Sequence, residues 1–140
     1  MCIRDSAKII KPSNNIKPFE VVEIQLNGLK KNNKPSKDNG IIQTWEFAHP
    51  NNRMYTGPLD NFIRMIKNPS YSMMIDHLEH NIIPVQEQEK SSYYFVELTD
   101  SNGKKFGFEW TVEKVEQNGE FKDCWMTVGV SRPMPLSQAS

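Results

Sequence analysis

The sequence predicts an α+β fold, with N-terminal helices followed by an antiparallel sheet. Two observations predict it. Residues 18–67 carry apolar side chains at helical spacing, whereas most of residues 85–131 alternate aromatic or β-branched side chains with polar ones. Helices followed by strands joined through short turns are typical of this class. A chain of 140 residues is long enough to bury one core without disulfides or a structural metal.

Composition and charge exclude several classes of protein. The mean hydropathy is -0.63, and no apolar run approaches the ~18 residues of a membrane-spanning helix, so no membrane span is predicted. The net charge is +0, although residues 1–70 carry 11 Lys and Arg against 6 Asp and Glu and residues 71–140 carry 6 against 11. No basic stripe is interleaved with stacking aromatics, so nucleic acid is not an expected partner.

The first 16 residues are expected to lie outside the fold. The segment Met1–Ser6 resembles a translated sequencing-adapter leader that recurs on proteins read from assembled environmental sequence. We therefore interpret residues 1–16 as a non-native leader followed by a disordered N-terminus. Because the natural N-terminus is then missing from the sequence, no cellular compartment is predicted.

Three helices are predicted in the N-terminal half. The first covers residues 18–31, because Pro18 suits a first helical turn and apolar side chains follow at helical spacing, namely Val22, Leu26 and Leu29. The second covers residues 41–47 and ends before Pro50, since a residue that precedes proline is steered away from helical backbone. Residues 51–58 are interpreted as a turn-rich loop. The third helix then carries the apolar stripe Leu59, Phe62, Ile63 and Ile66 and stops at Pro69.

The C-terminal half is predicted to be an antiparallel meander. Strands are expected at residues 93–99 and 105–116, joined by the turn at 100–103, and at residues 122–131 after the turn at 117–120. Residues 85–90 are expected to form an edge strand, and residues 71–83 fit a short helix followed by a strand. Residues 132–140 are predicted to be a flexible tail, so one domain spans residues 17–131.

Two motifs resemble those of a known family. The first is the stretch Trp45-Glu46-Phe47-Ala48-His49-Pro50-Asn51-Asn52-Arg53, followed by Thr56-Gly57-Pro58-Leu59, Phe62, Met65, Pro69 and Tyr71; the second is Cys124-Trp125-Met126-Thr127 with Gly129-Val130. Both are similar to the hallmark of the domain of unknown function 4864 family, and the likeness covers about residues 17–131. That family is thought to resemble the nuclear-transport-factor-two-like, or SnoaL-like, superfamily. The resemblance implies a cone, in which a curled antiparallel sheet wraps N-terminal helices around a pocket, but it brings no established reaction and no catalytic residues.

Alternation along the strands assigns the two faces of the sheet. Phe106, Phe108, Trp110 and Val112 are predicted to point inward, together with Tyr94, Val96 and Leu98 of the preceding strand and Cys124, Met126, Val128 and Val130 of the last one. A pocket between helices and sheet is then mainly apolar and suits a small apolar ligand. Its candidate lining residues are Arg53, Tyr71, Phe108, Trp110 and Met126. Glu97 or Asp76 would point inward only with a register shifted by one residue.

The opposite face of the sheet is predicted to carry three large aromatic residues, Tyr93, Phe95 and Trp125. Large aromatic residues are enriched in the cores of protein interfaces. We therefore interpret this face as a contact surface through which the protein forms a homodimer. The alternative is that a terminal segment covers the three side chains.

No metal site, cofactor or catalytic nucleophile is predicted. His77 and His80 are three residues apart, which on a strand points them to opposite faces, and His49 lies in a separate loop, so their ligand atoms do not converge. Cys124 has no neighbouring base in the sequence and is interpreted as a small buried apolar residue. Arg53 is suited to hold a carboxylate or phosphate at the pocket mouth, but the turn residues around it favour bonds to backbone carbonyls.

The function predicted from these residues is that of a non-catalytic domain that binds a small molecule or a protein partner. One alternative is a pocket enzyme of the isomerase or dehydratase type that uses Tyr71, His77 or Arg53 as acid–base or anion-holding groups; converging polar groups of shifted pKa would favour it. Another alternative is a structural subunit of a larger complex, which a filled interior and a large aromatic outer patch would favour.

Overall fold

The computed structural model describes residues 9–34 and 36–136, and within them all the helices precede all the strands. Four α-helices, α1 to α4, span Pro18–Lys30, Asn39–Glu46, Pro50–Thr56 and Leu59–Lys67, and a short 3-10 helix spans Ser72–Met74. Five strands, β1 to β5, span Glu79–Glu87, Ser91–Thr99, Lys105–Lys114, Trp125–Val130 and Met134–Pro135. The predicted α+β class is confirmed. The leader Met1–Ser6, with Cys2, lies outside the described residues.

The first two helices run close together because glycines meet at their contact. A side chain at Gly40 of α2 would collide with the backbone of Gly28 in α1. α1 begins at Pro18, and the Glu20 carboxylate accepts a hydrogen bond from the Lys17 backbone N–H at 2.8 Å. None of the helices in the described ranges is long and apolar enough to cross a membrane.

A helix stands where the sequence predicted a loop at residues 51–58. His49 Nδ1 accepts a hydrogen bond from the Asn51 backbone N–H at 3.1 Å, and Pro50 occupies the first helical position. This cap and the preset backbone angle of proline favour one or two helical turns, which end at Gly57. The loop prediction was wrong because turn-forming residues such as Asn and Thr are also tolerated in a short capped helix.

The sheet is antiparallel, with the strand order β1-β2-β3-β4 and β5 paired with β3. The edge strand β1 combines the strand predicted at the end of residues 71–83 with the edge strand predicted at residues 85–90, and its pairing with β2 is interrupted between Pro84 and Gln86. Proline lacks a backbone N–H, so it is placed at edges and bulges. The short strand β5 lies inside the segment that was predicted to be a flexible tail.

One face of the sheet, called here the inner face, contributes to the main core. On β2 and β3 it carries Tyr94, Val96, Leu98, Phe108, Trp110 and Val112, each at most 1% exposed. The same cluster contains apolar side chains from α1, α2 and α4. The register pairs Tyr94 with Trp110 and Val96 with Phe108. The faces predicted for β2 and β3 are therefore correct, and Glu97 is exposed on the other face, called the outer face.

A bulge in β4 reverses the predicted faces of its first residues. Thr111 pairs with Gly129 and Val112 pairs with Thr127, so Val128 is an extra residue without a partner on β3. One extra residue in a strand moves the side chains of the preceding strand residues to the opposite faces of the sheet. Thr127, rather than Met126, therefore shares the inner face with Val130. Met126 packs instead in a second cluster with Val115, Cys124 and Phe121.

Candidate functional site

A cavity of about 180 Å³ lies among α1 to α4 and strands β3 and β4. Its wall is formed by buried residues, which are Gln25, Leu29, Thr44, Ala48, Phe62, Ile66, Met74, Trp110 and Thr127. The remaining lining residues are half-buried, so they mark the mouth: Asn52, Thr56, Met65, Tyr71, Gly129 and Val130. The cavity therefore has a closed inner end and a mouth between α3, α4 and the end of β4.

Three buried polar side chains form a network in the cavity wall. Trp110 Nε1 donates to Gln25 Oε1 at 3.1 Å and to Thr127 Oγ1 at 3.2 Å, and Thr127 Oγ1 donates to Gln25 Oε1 at 2.6 Å. Gln25 Nε2 donates to the Thr44 carbonyl at 3.0 Å. Both lone pairs of the Gln25 carbonyl oxygen are thus occupied. A satisfied network of this kind fixes the wall of the cavity rather than offering free groups to a ligand.

The polar groups at the mouth come from α3 and from the segment after α4. Asn52 and Thr56 are four residues apart, which places them on one face of α3. Thr56 Oγ1 donates to the Asn52 carbonyl at 3.1 Å, and Tyr71 Oη donates to the Val130 carbonyl at 3.2 Å. The mouth therefore combines one side-chain amide with two hydroxyl groups.

Every side chain that lines this cavity is uncharged. The apolar members, among them Leu29, Phe62 and Ile66, form most of its inner end. Burying a charge without a partner is far more costly than burying a neutral polar group. A charged group inside this cavity would therefore find no ion-pair partner among the lining side chains.

Of the five predicted pocket residues, Tyr71 and Trp110 line the cavity. Phe108 is fully buried in the main core but is not one of the lining residues. Met126 lies in the second cluster, because of the bulge in β4. Arg53 does not line the cavity either, so the structure brings together two of the five.

The Arg53 side chain bonds the backbone at the C-terminal end of α2. Its Nε donates to the Ala48 carbonyl at 3.0 Å, and its Nη2 donates to the carbonyls of Trp45 and Glu46 at 2.9 and 3.2 Å. The guanidinium also lies 4.7 Å from the centre of the Trp45 ring. The predicted bonding of Arg53 to backbone carbonyls is observed, and it uses three of the five N–H donors of the guanidinium.

His77 and His80 meet, contrary to the prediction. The chain is still in the turn before β1 at His77, so the alternation of a strand does not apply to the pair. His77 Nδ1 lies 2.8 Å from the Met74 carbonyl, and His77 Nε2 lies 2.8 Å from His80 Nδ1. Burial lowers the pKa of both imidazoles, that of His80 to about 4. The pair is therefore neutral at pH 7 and lies apart from the cavity lining.

The three aromatic residues predicted for the outer face have different surroundings. Tyr93 is 42% exposed. Phe95 is half-buried and covers Gly107, where a side chain would collide with its ring. Trp125 shares the inner face with Thr127 because no bulge separates them, and it packs against the main core. Its predicted position on the outer face is wrong for the same reason as that of Met126.

The remaining candidate groups form no reactive centre. Cys124 is buried, and burial and the neighbouring Asp123 raise the pKa of its thiol, so the thiolate is disfavoured. Among residues 9–34 and 36–136, His, Cys, Asp and Glu form no group of three that is arranged to hold a metal ion.

Sequence reasoning missed Gln25, Thr127, Asn52 and Thr56 as lining residues. Gln25 carried a signal, because it is a polar residue within the apolar stripe of α1, four residues from both Val21 and Leu29. Asn52 and Thr56 are four residues apart, but this spacing indicates a shared face only in a helix, and the sequence predicted a loop here. Thr127 carried no signal, since the bulge that turns it inward is not encoded in the alternation.

Comparisons of the chain with protein-family models, with curated protein sequences and with solved structures gave no match. The features of the molecule that bear on function are therefore the cavity and the outer face of the sheet.

Proposed function

We propose that the protein is a non-catalytic binding domain whose cavity takes a small, neutral, mainly apolar molecule. The observation that carries the proposal is a cavity of about 180 Å³ with an apolar inner end and no charged lining group. An apolar cavity of about 150 Å³ accommodates benzene. The matching ligand is thus a six-membered ring with one or two further atoms.

The expected affinity for such a ligand is modest. A molecule of seven or eight non-hydrogen atoms gains affinity mainly by leaving water for an apolar site, and this gain exceeds the cost of its lost translational freedom by only a few kcal/mol. Dissociation constants between about 10 μM and 1 mM are expected for simple ring compounds.

The cone-like arrangement implied by the resemblance to the domain of unknown function 4864 family is part of this proposal. Two observations support it. Helices precede an antiparallel sheet along the chain, and side chains from α1, α2, β2 and β3 share one core. In this arrangement the cavity is the space that remains between helices and sheet.

The enzyme alternative lacks converging groups. Of the three residues named for it, Tyr71 lines the cavity, the Arg53 guanidinium bonds backbone carbonyls, and His77 pairs with His80 elsewhere. General acid–base catalysis needs such groups within hydrogen-bond reach of one reacting centre. A binding role is consistent with their separation.

Binding of toluene, with and without a blocked mouth, tests the proposal. Toluene should bind the wild-type protein, with the fluorescence of Trp110 and calorimetry as readouts. Val130 is one of the half-buried residues at the mouth, so Val130→Phe should abolish binding by filling the entrance. The matched control is Val85→Phe, at a residue of the edge strand β1 that is 67% exposed, and this variant should bind toluene as the wild type does. Absence of toluene binding by the wild type, or equal binding by Val130→Phe, would contradict the proposal.

Contact through the outer face is a second candidate function. The apolar side chains of Tyr93 and Ile83 are 42% and 38% exposed there, and Ile83 pairs with Phe95 across β1 and β2. If this face forms a homodimer, Tyr93→Glu should convert the dimer to a monomer in sedimentation equilibrium, because a charge would be buried in the interface. Leu78→Glu, at an exposed position before β1, is the control. A wild-type protein that sediments as a monomer would contradict the proposed homodimer.

A further inference from the structure

We infer that the ligand of the cavity carries a hydroxyl group, and that Asn52, Thr56 and Tyr71 bind this group at the mouth. The inference rests on the proposed function and specifies the chemical class of its ligand. The three side chains are the polar ones among the half-buried lining residues, and they come from two segments of the chain that meet at the mouth.

The two hydroxyl groups at the mouth face a ligand as acceptors. A hydroxyl has a single hydrogen and two lone pairs. Thr56 Oγ1 uses its hydrogen on the Asn52 carbonyl, and Tyr71 Oη uses its hydrogen on the Val130 carbonyl. Each oxygen keeps acceptor capacity for a donor on the ligand. A ketone or an ether, which offers no donor, cannot use either of them.

The side-chain amide of Asn52 supplies the complementary group. Within residues 9–34 and 36–136 it makes no hydrogen bond, although the Asn52 backbone carbonyl accepts from Thr56. Its Nδ2 is therefore able to donate to a ligand oxygen, and its Oδ1 is able to accept from a ligand hydrogen. A ligand hydroxyl can accept from the Asn52 amide and give its single hydrogen to one of the two acceptor oxygens, Thr56 Oγ1 or Tyr71 Oη.

The inner end of the cavity does not compete for this hydroxyl. The carbonyl oxygen of Gln25 already accepts two hydrogen bonds, and the single N–H of Trp110 is shared between Gln25 and Thr127. The other inner residues are mostly apolar, among them Leu29, Phe62, Ile66 and Met74. The ring of the ligand therefore points inward and its hydroxyl points to the mouth.

A charged ligand group is disfavoured by the same lining. No cationic side chain lines the cavity, and Arg53 lies outside the lining with three of its five N–H donors bonded to backbone carbonyls. A carboxylate at the mouth would lose hydration without gaining an ion pair. The expected class is thus phenols and small cyclic alcohols, in preference to ring carboxylates, ketones and ethers.

The inference is tested with phenol, toluene and benzoate as probes on the full chain. Wild type should bind phenol and toluene but not benzoate at pH 7. Asn52→Leu should weaken phenol binding about tenfold, the effect of about one hydrogen bond, and change toluene binding less than twofold. The matched control is Asn51→Leu, on the same helix but with its amide bonded to Gln117 outside the cavity, which should leave both affinities unchanged. Thr56→Val, as an independent variant, should also weaken phenol selectively.

The outcomes separate this inference from the proposed function. If toluene binds and phenol is insensitive to both Asn52→Leu and Thr56→Val, the hydroxyl assignment is wrong while the binding function stands. Preferred binding of benzoate would also overturn the assignment. If neither toluene nor phenol binds the wild type, both the function and this inference fail.

Discussion

Gln25 shows how a single residue sets the character of the cavity. It lies in the buried stripe of α1 and accepts hydrogen bonds from Trp110 on β3 and Thr127 on β4. A buried polar group left without a partner costs about 1–3 kcal/mol, so these side chains hold one another in a single arrangement. The network leaves the apolar residues beside it to form the space in which a ring fits.

The His77–His80 pair is the other buried polar feature at the residue scale. Burial is the first cause of the lowered pKa of His80, the positive charge of a protonated His77 is the second, and Lys30 is the third. For His77, burial and Lys30 lower the pKa, while the hydrogen bond to Met74 and the charge of Asp76 raise it. The folded protein therefore binds fewer protons here than the unfolded chain.

Stability is predicted to fall as the pH drops from about 6.5 towards 4. The unfolded chain takes up a proton at the ordinary histidine pKa of 6.5, whereas His80 in the folded protein takes one up at about 4. The neutral His80 side chain contributes its full share of the free energy of unfolding above pH 6.5. This share is lost progressively as the pH falls from 6.5 towards 4. His80→Gln should therefore lose less stability than the wild type between pH 7 and pH 5 in urea denaturation. Leu78→Gln, at an exposed neighbouring position, should keep the wild-type pH dependence; identical pH profiles for His80→Gln and wild type would contradict the account.

Residue-level prediction from the sequence succeeded where the local pattern was regular. The inward faces of β2 and β3 followed from alternation, and the bonding of Arg53 followed from the capping residues around it. It failed for Trp125 and Met126, because a single extra residue at Val128 exchanges their faces. A bulge depends on tertiary packing and leaves little trace in a hydrophobic pattern.

Among the elements, α1 and α2 make the closest contact between helices. A methyl group at Gly40 would meet the carbonyl group of Gly28, and it would also lie close to the backbone of Asn32. Both neighbours are backbone atoms, which cannot rotate away as a flexible side chain does. The approach of the two helices brings Gln25 of α1 to the Thr44 carbonyl of α2, so it also shapes the cavity wall.

Gly40→Ala is predicted to destabilise the protein by at least about 1 kcal/mol. Alanine is favoured over glycine inside a helix by about 1 kcal/mol, but a methyl group that collides with the fixed backbone of Gly28 is expected to cost at least the upper end of the usual range of about 1–3 kcal/mol. The control is Gly129→Ala, because a methyl group there meets no atom within 4 Å; its effect should stay within about 0.5 kcal/mol. Guanidinium denaturation measures both. A Gly40→Ala protein as stable as the wild type would show that α1 and α2 are farther apart than described.

The elements that the sequence predicted well are those with long, regular patterns. α1, α4, β2 and β3 lie within a few residues of their predicted bounds. α3 was missed because Asn, Thr and Gly suggest a turn, whereas the His49 cap and Pro50 start a helix. The strand predicted at the end of residues 71–83 and the edge strand predicted at residues 85–90 are one strand, β1, which continues through the irregular pairing between Pro84 and Gln86.

On the scale of the whole molecule, the cavity and the exposed aromatic surface occupy opposite sides of the sheet. The cavity contacts the inner face at Trp110 and Thr127, and the exposed Tyr93 belongs to the outer face. A ligand and a protein partner would therefore not compete for the same residues. The proposed ligand binding and the proposed homodimer are therefore separable, and each is tested by its own variants.

A mainly apolar pocket was predicted from the sequence, but the volume of the cavity and most of its lining residues were not. The aromatic content and the strand alternation gave the inward-facing set, whereas the volume of about 180 Å³ is what remains after all of these side chains have packed. Three polar lining residues, Gln25, Asn52 and Thr127, depend on contacts among α1, α3 and β4. Such contacts join residues up to 102 positions apart, as between Gln25 and Thr127, and no local pattern encodes them.

The most direct test of the central claim is a crystal structure of the protein soaked with 4-bromophenol, read from the anomalous signal of bromine. We predict one bromine in the inner end of the cavity, near Leu29, Ile66 and Met74, with the ring filling the space in front of Trp110. A cavity that stays empty at saturating concentration, with bromine only on the surface or absent, would contradict the claim that this protein binds small neutral ring compounds.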